Sequence, residues 1–280
     1  MSTTDADARI RLIGLPTDSH SSFLRGAAAG PAAIRAALAS DHSNMASERG
    51  LEIGGDLLVE DDGDLPLDES AGDFGRIRDA AARAAADGRI PLFLGGDHMV
   101  TNPIVAGLAA VHGPLNILHF DAHPDLYDDF AGDPLSHASP FARIMEAGLA
   151  SRLVQVGIRT LNPHCRDQAA RFGVEMVEMR DFRADAVPIP AAPLYISIDL
   201  DALDPAFAPG VSHHEPGGLS TRELLSVLHR VAGPLVGADV VEYNPTRDVN
   251  GVTAVVAAKL VKELAALTAA ADQGANARGA

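Results

Sequence analysis

The carboxyl ends of three apolar segments constrain this chain more than any other feature of its sequence. The segments at 90–94, 115–120 and 194–198 each run directly into a cluster of aspartate and histidine. Short, continuous apolar runs of this kind are typical of strands buried on both faces of a parallel sheet. Ligands of open α/β sheets gather at the carboxyl ends of the strands. The three polar strand ends therefore predict one shared site at that edge of the sheet.

Strand-like and helix-like segments alternate along almost the whole chain. This alternation predicts the α/β class, with a single three-layer domain whose parallel sheet is flanked by helices on both faces. We expect the domain to span residues 9–272, between flexible tails at 1–8 and 273–280. Residues 41–70 are the exception, because they are rich in Asp, Gly and Pro and predict a loop with one edge strand at most.

Composition excludes several classes of partner. The chain has 280 residues, 47% of them hydrophobic, which is enough for a sizeable core. Its net charge of −16 argues against nucleic acid and anionic membranes and favours a cationic small molecule. No window of eighteen consecutive apolar residues is present to span a membrane. The single cysteine, Cys165, excludes an intrachain disulfide and predicts a cytoplasmic location.

Six side chains at the three strand ends form a candidate metal-binding set: His98, Asp121, His123, Asp125, Asp199 and Asp201. Any one of them alone would more often be an ordinary hydrogen-bonded polar residue. Four aspartates packed together without cations would repel each other, and two divalent ions would relieve that repulsion. Oxygen ligands with two imidazoles and no thiolate suit Mn²⁺, with Fe²⁺, Co²⁺, Ni²⁺ and Zn²⁺ as alternatives.

Five sequence blocks resemble the signature motifs of the ureohydrolase family, the arginases and agmatinases. They are Gly-Gly-Asp-His at 95–98, Asp-Ala-His-Pro-Asp at 121–125, Ser-His at 136–137, Ser-Ile-Asp-Leu-Asp at 197–201 and Glu-Tyr-Asn-Pro at 242–245. The resemblance covers nearly the whole chain. It implies an arginase–deacetylase-like fold, hydrolysis of guanidino groups to urea, two Mn²⁺ per subunit, and a homo-oligomer, either a trimer or a hexamer.

The resemblance also implies a role for each candidate ligand. His98 and Asp125 would bind one ion, while His123 and Asp201 would bind the other. Asp121 and Asp199 would bridge both ions and so belong to the catalytic set.

Two further residues outside the metal set receive roles from the resemblance. His137 matches a histidine that moves a proton, and Glu242 matches a carboxylate that pairs with the guanidinium. The chemistry is sound, because a carboxylate can accept two N–H bonds from a planar guanidinium and a histidine can protonate a leaving amine. Without the motifs, His137 would be read as a solvated loop residue and Glu242 as a partner of Arg247.

The loop at 208–218 resembles the Gly-Val-Ser-His block of plant-type arginases. This resemblance implies L-arginine as the substrate, with Arg159 or His213 available to meet its carboxylate. Ordinary loop and strand-end roles for those two residues are an equal alternative.

Other functions remain open at this point. Agmatinase, or another guanidino-acid hydrolase, is the main alternative to arginase. A deacetylase-type enzyme with one zinc is disfavoured by His98 and Asp125. A non-catalytic partner subunit is disfavoured because all six candidate ligands are present.

Overall fold

A parallel sheet of eight strands forms the centre of this computed structural model, which describes residues 9–41 and 43–276. The strand order is β2-β1-β3-β8-β7-β4-β5-β6, and every neighbouring pair is parallel. The strands are β1 (Ile10–Gly14), β2 (Val59–Asp64), β3 (Ile90–Leu94), β4 (Leu115–Phe120), β5 (Ala150–Ile158), β6 (Glu175–Glu178), β7 (Leu194–Asp199) and β8 (Leu235–Val241).

The α-helices of the described segments are α1 (Gly30–Leu38), α2 (Asp73–Ala86), α3 (Thr101–His112), α4 (Pro140–Glu146), α5 (Pro163–Phe172), α6 (Thr221–Leu228) and α7 (Val252–Asn276). Helix α7 continues into the segment 273–280 that was expected to be a tail. The other expected tail, 1–8, and residues 277–280 lie outside the described residues. Within the described ranges, no helix combines the length and the apolar character needed to cross a membrane.

The helices cover the two faces of the sheet and produce two separate cores. Helices α1, α6 and α7 pack on the face that carries Leu118 and Phe120 of β4. Helices α2 to α5 pack on the opposite face, which carries Ile117 of the same strand. Successive side chains of a strand alternate between its faces, so an uninterrupted apolar strand supplies both cores. The predicted three-layer α/β fold is confirmed.

The edge strand β2 agrees with the expectation for residues 41–70, which allowed one edge strand within a loop. Its sequence, VEDDGD, has no apolar alternation beyond Val59, so the sequence predicted mostly loop here. Arginines hold it in place: Arg11 contacts Glu60 at 2.7 Å, and Arg35 contacts Asp61 at 2.8 Å. Because β2 lies at the sheet edge and its side chains are partly exposed, its sequence lacks the alternation of apolar and polar residues by which a strand is recognised.

The four strands β3, β8, β7 and β4 are consecutive in the sheet. Their carboxyl ends therefore lie side by side. The residues that follow them are 95–98 after β3, 242 after β8, 199–201 at the end of β7, and 121–125 after β4. The sheet thus brings the candidate ligands of the separate blocks to one place.

Candidate metal centre

His98 is the innermost member of the cluster. It is fully buried, and its Nδ1 lies 3.0 Å from Asp125 Oδ2, 3.1 Å from Asp121 Oδ2 and 3.2 Å from Asp199 Oδ2. This nitrogen has no hydrogen-bond partner among the described residues. Three carboxylate oxygens thus converge within 3.0 to 3.2 Å of one imidazole nitrogen, and that is the arrangement expected around a cation.

A second group of ligand atoms adjoins the first through Asp121. His123 Nδ1 lies 3.0 Å from Asp201 Oδ2 and 3.3 Å from Asp121 Oδ1. Asp121 presents Oδ2 to the His98 group and Oδ1 to the His123 group. The ligand atoms of Asp121, His123 and Asp201 all lie within 4.8 Å of one another.

The electrostatics of the cluster fit divalent cations. Burial, and then the negative charge of Asp121, raise the pKa of Asp125. Burial, and then the charges of Asp201 and Asp121, raise the pKa of Asp199 well above its usual value. Buried carboxylates in this proximity resist ionisation unless positive charge is close. With the unpartnered nitrogen of His98, they form a donor set that divalent metal ions would complete.

His119 belongs to this cluster although the sequence analysis did not select it. Its Nε2 lies 2.9 Å from Asp121 Oδ2, and His119, His98 and Asp121 form a possible three-ligand group. The amide of Gln155 donates to His119 Nδ1 at 3.0 Å, which leaves the ring proton on Nε2, facing Asp121. Both ring nitrogens are therefore used in hydrogen bonds. His119 orients Asp121 and is not free to act as a ligand.

Glu242 and His137 form a buried pair beside the metal-binding cluster. Glu242 Oε1 accepts hydrogen bonds from the His98 backbone N–H and from His137 Nδ1, both at 2.9 Å. Although burial opposes it, the charge of Glu242 raises the pKa of His137 to about 9. Burial likewise opposes ionisation of Glu242, but the charge of His137 lowers its pKa. At neutral pH this pair is an imidazolium with a carboxylate.

Two acidic residues of the site have unusual backbones. Asp125 has φ of 50° and Glu242 has φ of 62°, in the left-handed region that residues other than glycine seldom adopt. Asp125 directly follows Pro124, and Glu242 directly follows strand β8. Each turn directs its carboxylate back toward the cluster at the cost of some local strain.

A cavity of about 240 Å³ opens onto this cluster. Its inner lining includes Asp125, Asp199, Asp201, His123, His137 and Glu242. Its outer lining includes Ser22, Tyr127, Phe130, Thr160, His213 and Glu215. No lysine or arginine lines the cavity in the part of the chain that the structure describes.

Arg159 does not take the role of a carboxylate partner that the sequence analysis offered for it. It is absent from the cavity lining, and its guanidinium donates to backbone carbonyls at distances of 2.6 to 3.4 Å. Those carbonyls belong to Gly157, Asp201, Ala202, Leu203 and Glu215. All of its nitrogens are engaged, so Arg159 ties the loop at 206–218 to the ligand segment 199–203.

His213 does reach the cavity, where its ring centroid lies 5.2 Å from that of His137 and 5.8 Å from that of His123. Burial, and then the positive charge of His137, lower the pKa of His213. It is therefore a neutral ring at physiological pH. A neutral imidazole can donate one hydrogen bond to a substrate but cannot form an ion pair with a substrate carboxylate.

Three contributors to the site escaped the sequence analysis. His119 and Gln155 each lie between apolar residues of a strand, so a polar side chain in such a position was their available signal. Ser22, whose Oγ lies 2.8 Å from His137 Nε2, is in a loop with no pattern that points to the site.

The fold and the donor set together define an α/β protein with a candidate metal-binding site at the carboxyl edge of its sheet. The chain belongs to the arginase family, whose family model matches residues 8–266. It is a hydrolase of the ureohydrolase type, as its sequence motifs predicted.

Relatives and solved structures agree with this assignment. "Arginase 1, mitochondrial" of Arabidopsis thaliana is 49% identical over 278 residues, which cover 93% of this chain and 81% of that protein. The human "Guanidino acid hydrolase, mitochondrial" is 37% identical, over 90% of this chain and 76% of that protein. The structure of the arginase from Medicago truncatula has a TM-score of 0.88 and 44% identity, covering 92% of this chain and 87% of that one.

One expectation is overturned by these relatives. The single cysteine predicted a cytoplasmic location, but plant arginases that are 47–49% identical to this chain are named as mitochondrial or chloroplastic proteins. A low cysteine content indicates only that the protein needs no disulfide bonds. It does not distinguish the cytoplasm from other reducing compartments. The prediction of a cytoplasmic location was therefore wrong.

Proposed function

We propose that this protein is an arginase that hydrolyses L-arginine to L-ornithine and urea with two Mn²⁺ per subunit. The observation that carries the proposal is the pair of ligand groups that share Asp121, which lie at the base of the same cavity that contains Glu242 and His137. Arginine is favoured over other guanidino compounds because the plant relatives named arginase are 45–49% identical, against 37% for the human guanidino-acid hydrolase and the chicken agmatinase.

Each ligand keeps the role that its motif implies. His98 and Asp125 would hold one ion, and His123 and Asp201 the other. Asp121 offers one oxygen to each group, as a bridging ligand must, and Asp199 reaches the His98 group. Divalent cations bound here would lower the pKa of a water molecule and so supply hydroxide near neutral pH.

Glu242 would bind the guanidinium of the substrate. Its Oε1 is used by His98 and His137, whereas its Oε2 accepts no hydrogen bond from the described residues and Glu242 lines the cavity. A charge-assisted bond from a guanidinium N–H to Oε2 would fix the orientation of the planar group. With the guanidinium held in this way, its carbon has a defined position for attack by hydroxide.

His137 would return a proton to the departing nitrogen. Addition of hydroxide to the guanidinium carbon is followed by cleavage of one C–N bond, and the leaving amine needs a proton as that bond breaks. With a pKa of about 9, His137 carries the required proton at neutral pH. Its Nε2–H faces Ser22 at the cavity wall, where a substrate nitrogen would approach. The products are then urea and the amine.

A specific observation supports agmatine as a second candidate substrate. Arginine differs from agmatine by its carboxylate, and no lysine or arginine of the described cavity lining would pair with that group. Arg159, which with His213 was one of two residues expected to be available for this task, is engaged elsewhere.

The deciding experiment is a urea-release assay of Mn²⁺-loaded protein on arginine, agmatine, guanidinobutyrate and guanidinopropionate in parallel. We expect the highest kcat/KM with arginine. A preference for agmatine would replace arginase with agmatinase, and no urea from any of the four would refute the proposed function. Assembly into a trimer or hexamer stays a prediction, which light scattering of the purified protein would test.

A further inference from the structure

Asp239 is a buried carboxylate on β8 that has no part in the cavity. It accepts three hydrogen bonds from hydroxyl groups: from Thr101 Oγ1 at 2.7 Å, Tyr195 OH at 2.6 Å and Ser197 Oγ at 2.7 Å. All four side chains are fully buried. No lysine, arginine or histidine of the described residues forms an ion pair with Asp239.

An acidic residue is a costly choice at this position. Burying a carboxylate without a cation carries a large desolvation penalty, and apolar residues of similar size are often as stable or more so. The sheet itself does not require the acid, because β7 and β8 already pair through their backbones, with Ser197 opposite Asp239. A reason for the charge has to be sought in what it contacts.

Ser197 connects Asp239 to the metal centre. Its hydroxyl has one hydrogen, which it donates to Asp239 Oδ1, so its oxygen is left to accept from His98 Nε2 at 2.9 Å. A hydrogen on Nε2 of a neutral imidazole leaves Nδ1 with a free lone pair. That Nδ1 is the unpartnered atom which faces the carboxylates of the cluster.

We propose that Asp239 is a positioning residue of the metal centre, which acts through Ser197 to hold the proton of His98 on Nε2 and direct its Nδ1 at a bound cation. The inference rests on the proposed metal centre. A metal-binding histidine is oriented by the group that accepts a hydrogen bond from its second ring nitrogen. Here a serine does so, and the buried carboxylate fixes which way the serine hydroxyl points.

The same carboxylate offers a matched control. Tyr195 donates to Asp239 Oδ2, and this bond has no continuation to His98. Tyr195→Phe and Ser197→Ala each remove one hydroxyl donor from Asp239. Tyr195→Phe, however, leaves the hydrogen bonds from His98 through Ser197 to Asp239 Oδ1 in place. If Asp239 only ties the core together, the two substitutions should behave alike.

The test measures metal binding directly, with Co²⁺ and Mn²⁺ titrated into metal-free protein against a competing chelator. We expect Ser197→Ala and Asp239→Asn each to weaken the affinity of one ion about 10- to 100-fold. They should also change the visible absorption of the Co²⁺ form. Tyr195→Phe should bind within about 3-fold of the wild type. The double variant S197A/D239N should be no weaker than the worse single variant, because both remove the same connection.

Thermal unfolding in chelator verifies that each metal-free variant is folded. If Asp239→Asn does not fold, Ser197→Ala decides alone, since it deletes a single oxygen. Equal losses in Ser197→Ala and Tyr195→Phe, or unchanged affinity in Ser197→Ala, would overturn the inference while leaving the metal centre intact. Wild-type protein that binds neither Co²⁺ nor Mn²⁺ would instead refute the metal centre, and the inference with it.

Discussion

The floor and the outer wall of the cavity are built in different ways. The floor is the candidate metal-binding cluster with Glu242: His123, Asp125, Asp199, Asp201 and Glu242 line the cavity, and the fully buried His98 and Asp121 lie against them. All seven come from the ends of four adjacent strands. The outer wall consists of Tyr127, Phe130, Thr160, His213 and Glu215, which come from loops. The floor is fixed by the backbone hydrogen bonds of the sheet. The wall depends on side-chain contacts to loop carbonyls, such as those of Arg159.

This difference suggests that the floor would determine the reaction and the wall would determine which substrate binds. Residues of the floor are ionisable, mostly buried and connected to one another, so under the proposed function they would carry out the reaction. Residues of the wall are neutral or partly exposed and would meet the end of the substrate that differs between arginine and agmatine. Changes in the floor should therefore abolish activity on every substrate, whereas changes in the wall should alter how well substrates bind.

Asp199→Ala is expected to have the largest effect, because it deletes a carboxylate that lies against His98 at the centre of the floor. Loss of an ion and of the nucleophile it supplies should lower kcat/KM by at least about 10⁴-fold on arginine and agmatine alike. Steady-state kinetics with elemental analysis for bound metal would measure both losses. Retention of two ions and of substantial activity would show that Asp199 does not belong to the floor.

His137→Asn is expected to lower kcat about 10²- to 10³-fold, because the leaving amine loses its proton donor. Bound metal should be unchanged, since His137 contacts Glu242 and Ser22 and none of the proposed ligands. Elemental analysis of the variant decides this point. A loss of metal would make His137 a ligand and contradict the proton-transfer role.

Arg159→Met tests the wall. Without its contacts to five backbone carbonyls, of which Glu215 lies in the loop at 206–218, that loop should become less well positioned and KM should rise about 10-fold. The rise should be similar for arginine and agmatine, because Arg159 does not line the cavity. A loss confined to arginine would show that Arg159 meets the substrate carboxylate after all. Arg166→Met, which removes an exposed pair with Glu178, is the matched control.

The smallest expected effect is the pH dependence of stability in metal-free protein. The pKa of His137 is raised from 6.5 to about 9, chiefly by Glu242 against the effect of burial. The stabilising pair is thus complete below about pH 6.5 and is lost as the pH rises through about 9. Urea unfolding should show a decline on the order of 1–3 kcal/mol across that window. In His137→Asn this part of the decline should be absent, and an identical decline would contradict the assignment.

The floor could be predicted from the sequence because strand ends carry a strong signal. An apolar run of five or six residues with Asp or His within the next four positions indicates both where the strand ends and which side chains follow it. The order of strands in the sheet did not need to be known, since parallel strands that share an edge bring their ends together. His98 and the segment 121–125 were located in this way.

The wall could not be predicted because its contacts depend on three-dimensional packing. Whether Arg159 faces a substrate or five carbonyls is decided by the path of the loop at 206–218, and no local pattern records that path. Asp239 and Gln155 are intermediate cases. Each is a polar residue inside an apolar strand, which marks it as unusual, but only the structure shows which partner it serves.

The left-handed backbone conformations of Asp125 and Glu242 mean that substitutions which raise thermal stability at these positions would lower activity. Glycine adopts such angles freely, so Asp125→Gly or Glu242→Gly would remove backbone strain on the order of 1 kcal/mol and one buried negative charge together. Either change would also delete a functional carboxylate. A screen for thermal stability that does not also measure urea formation would therefore enrich for stable but inactive variants at these two positions.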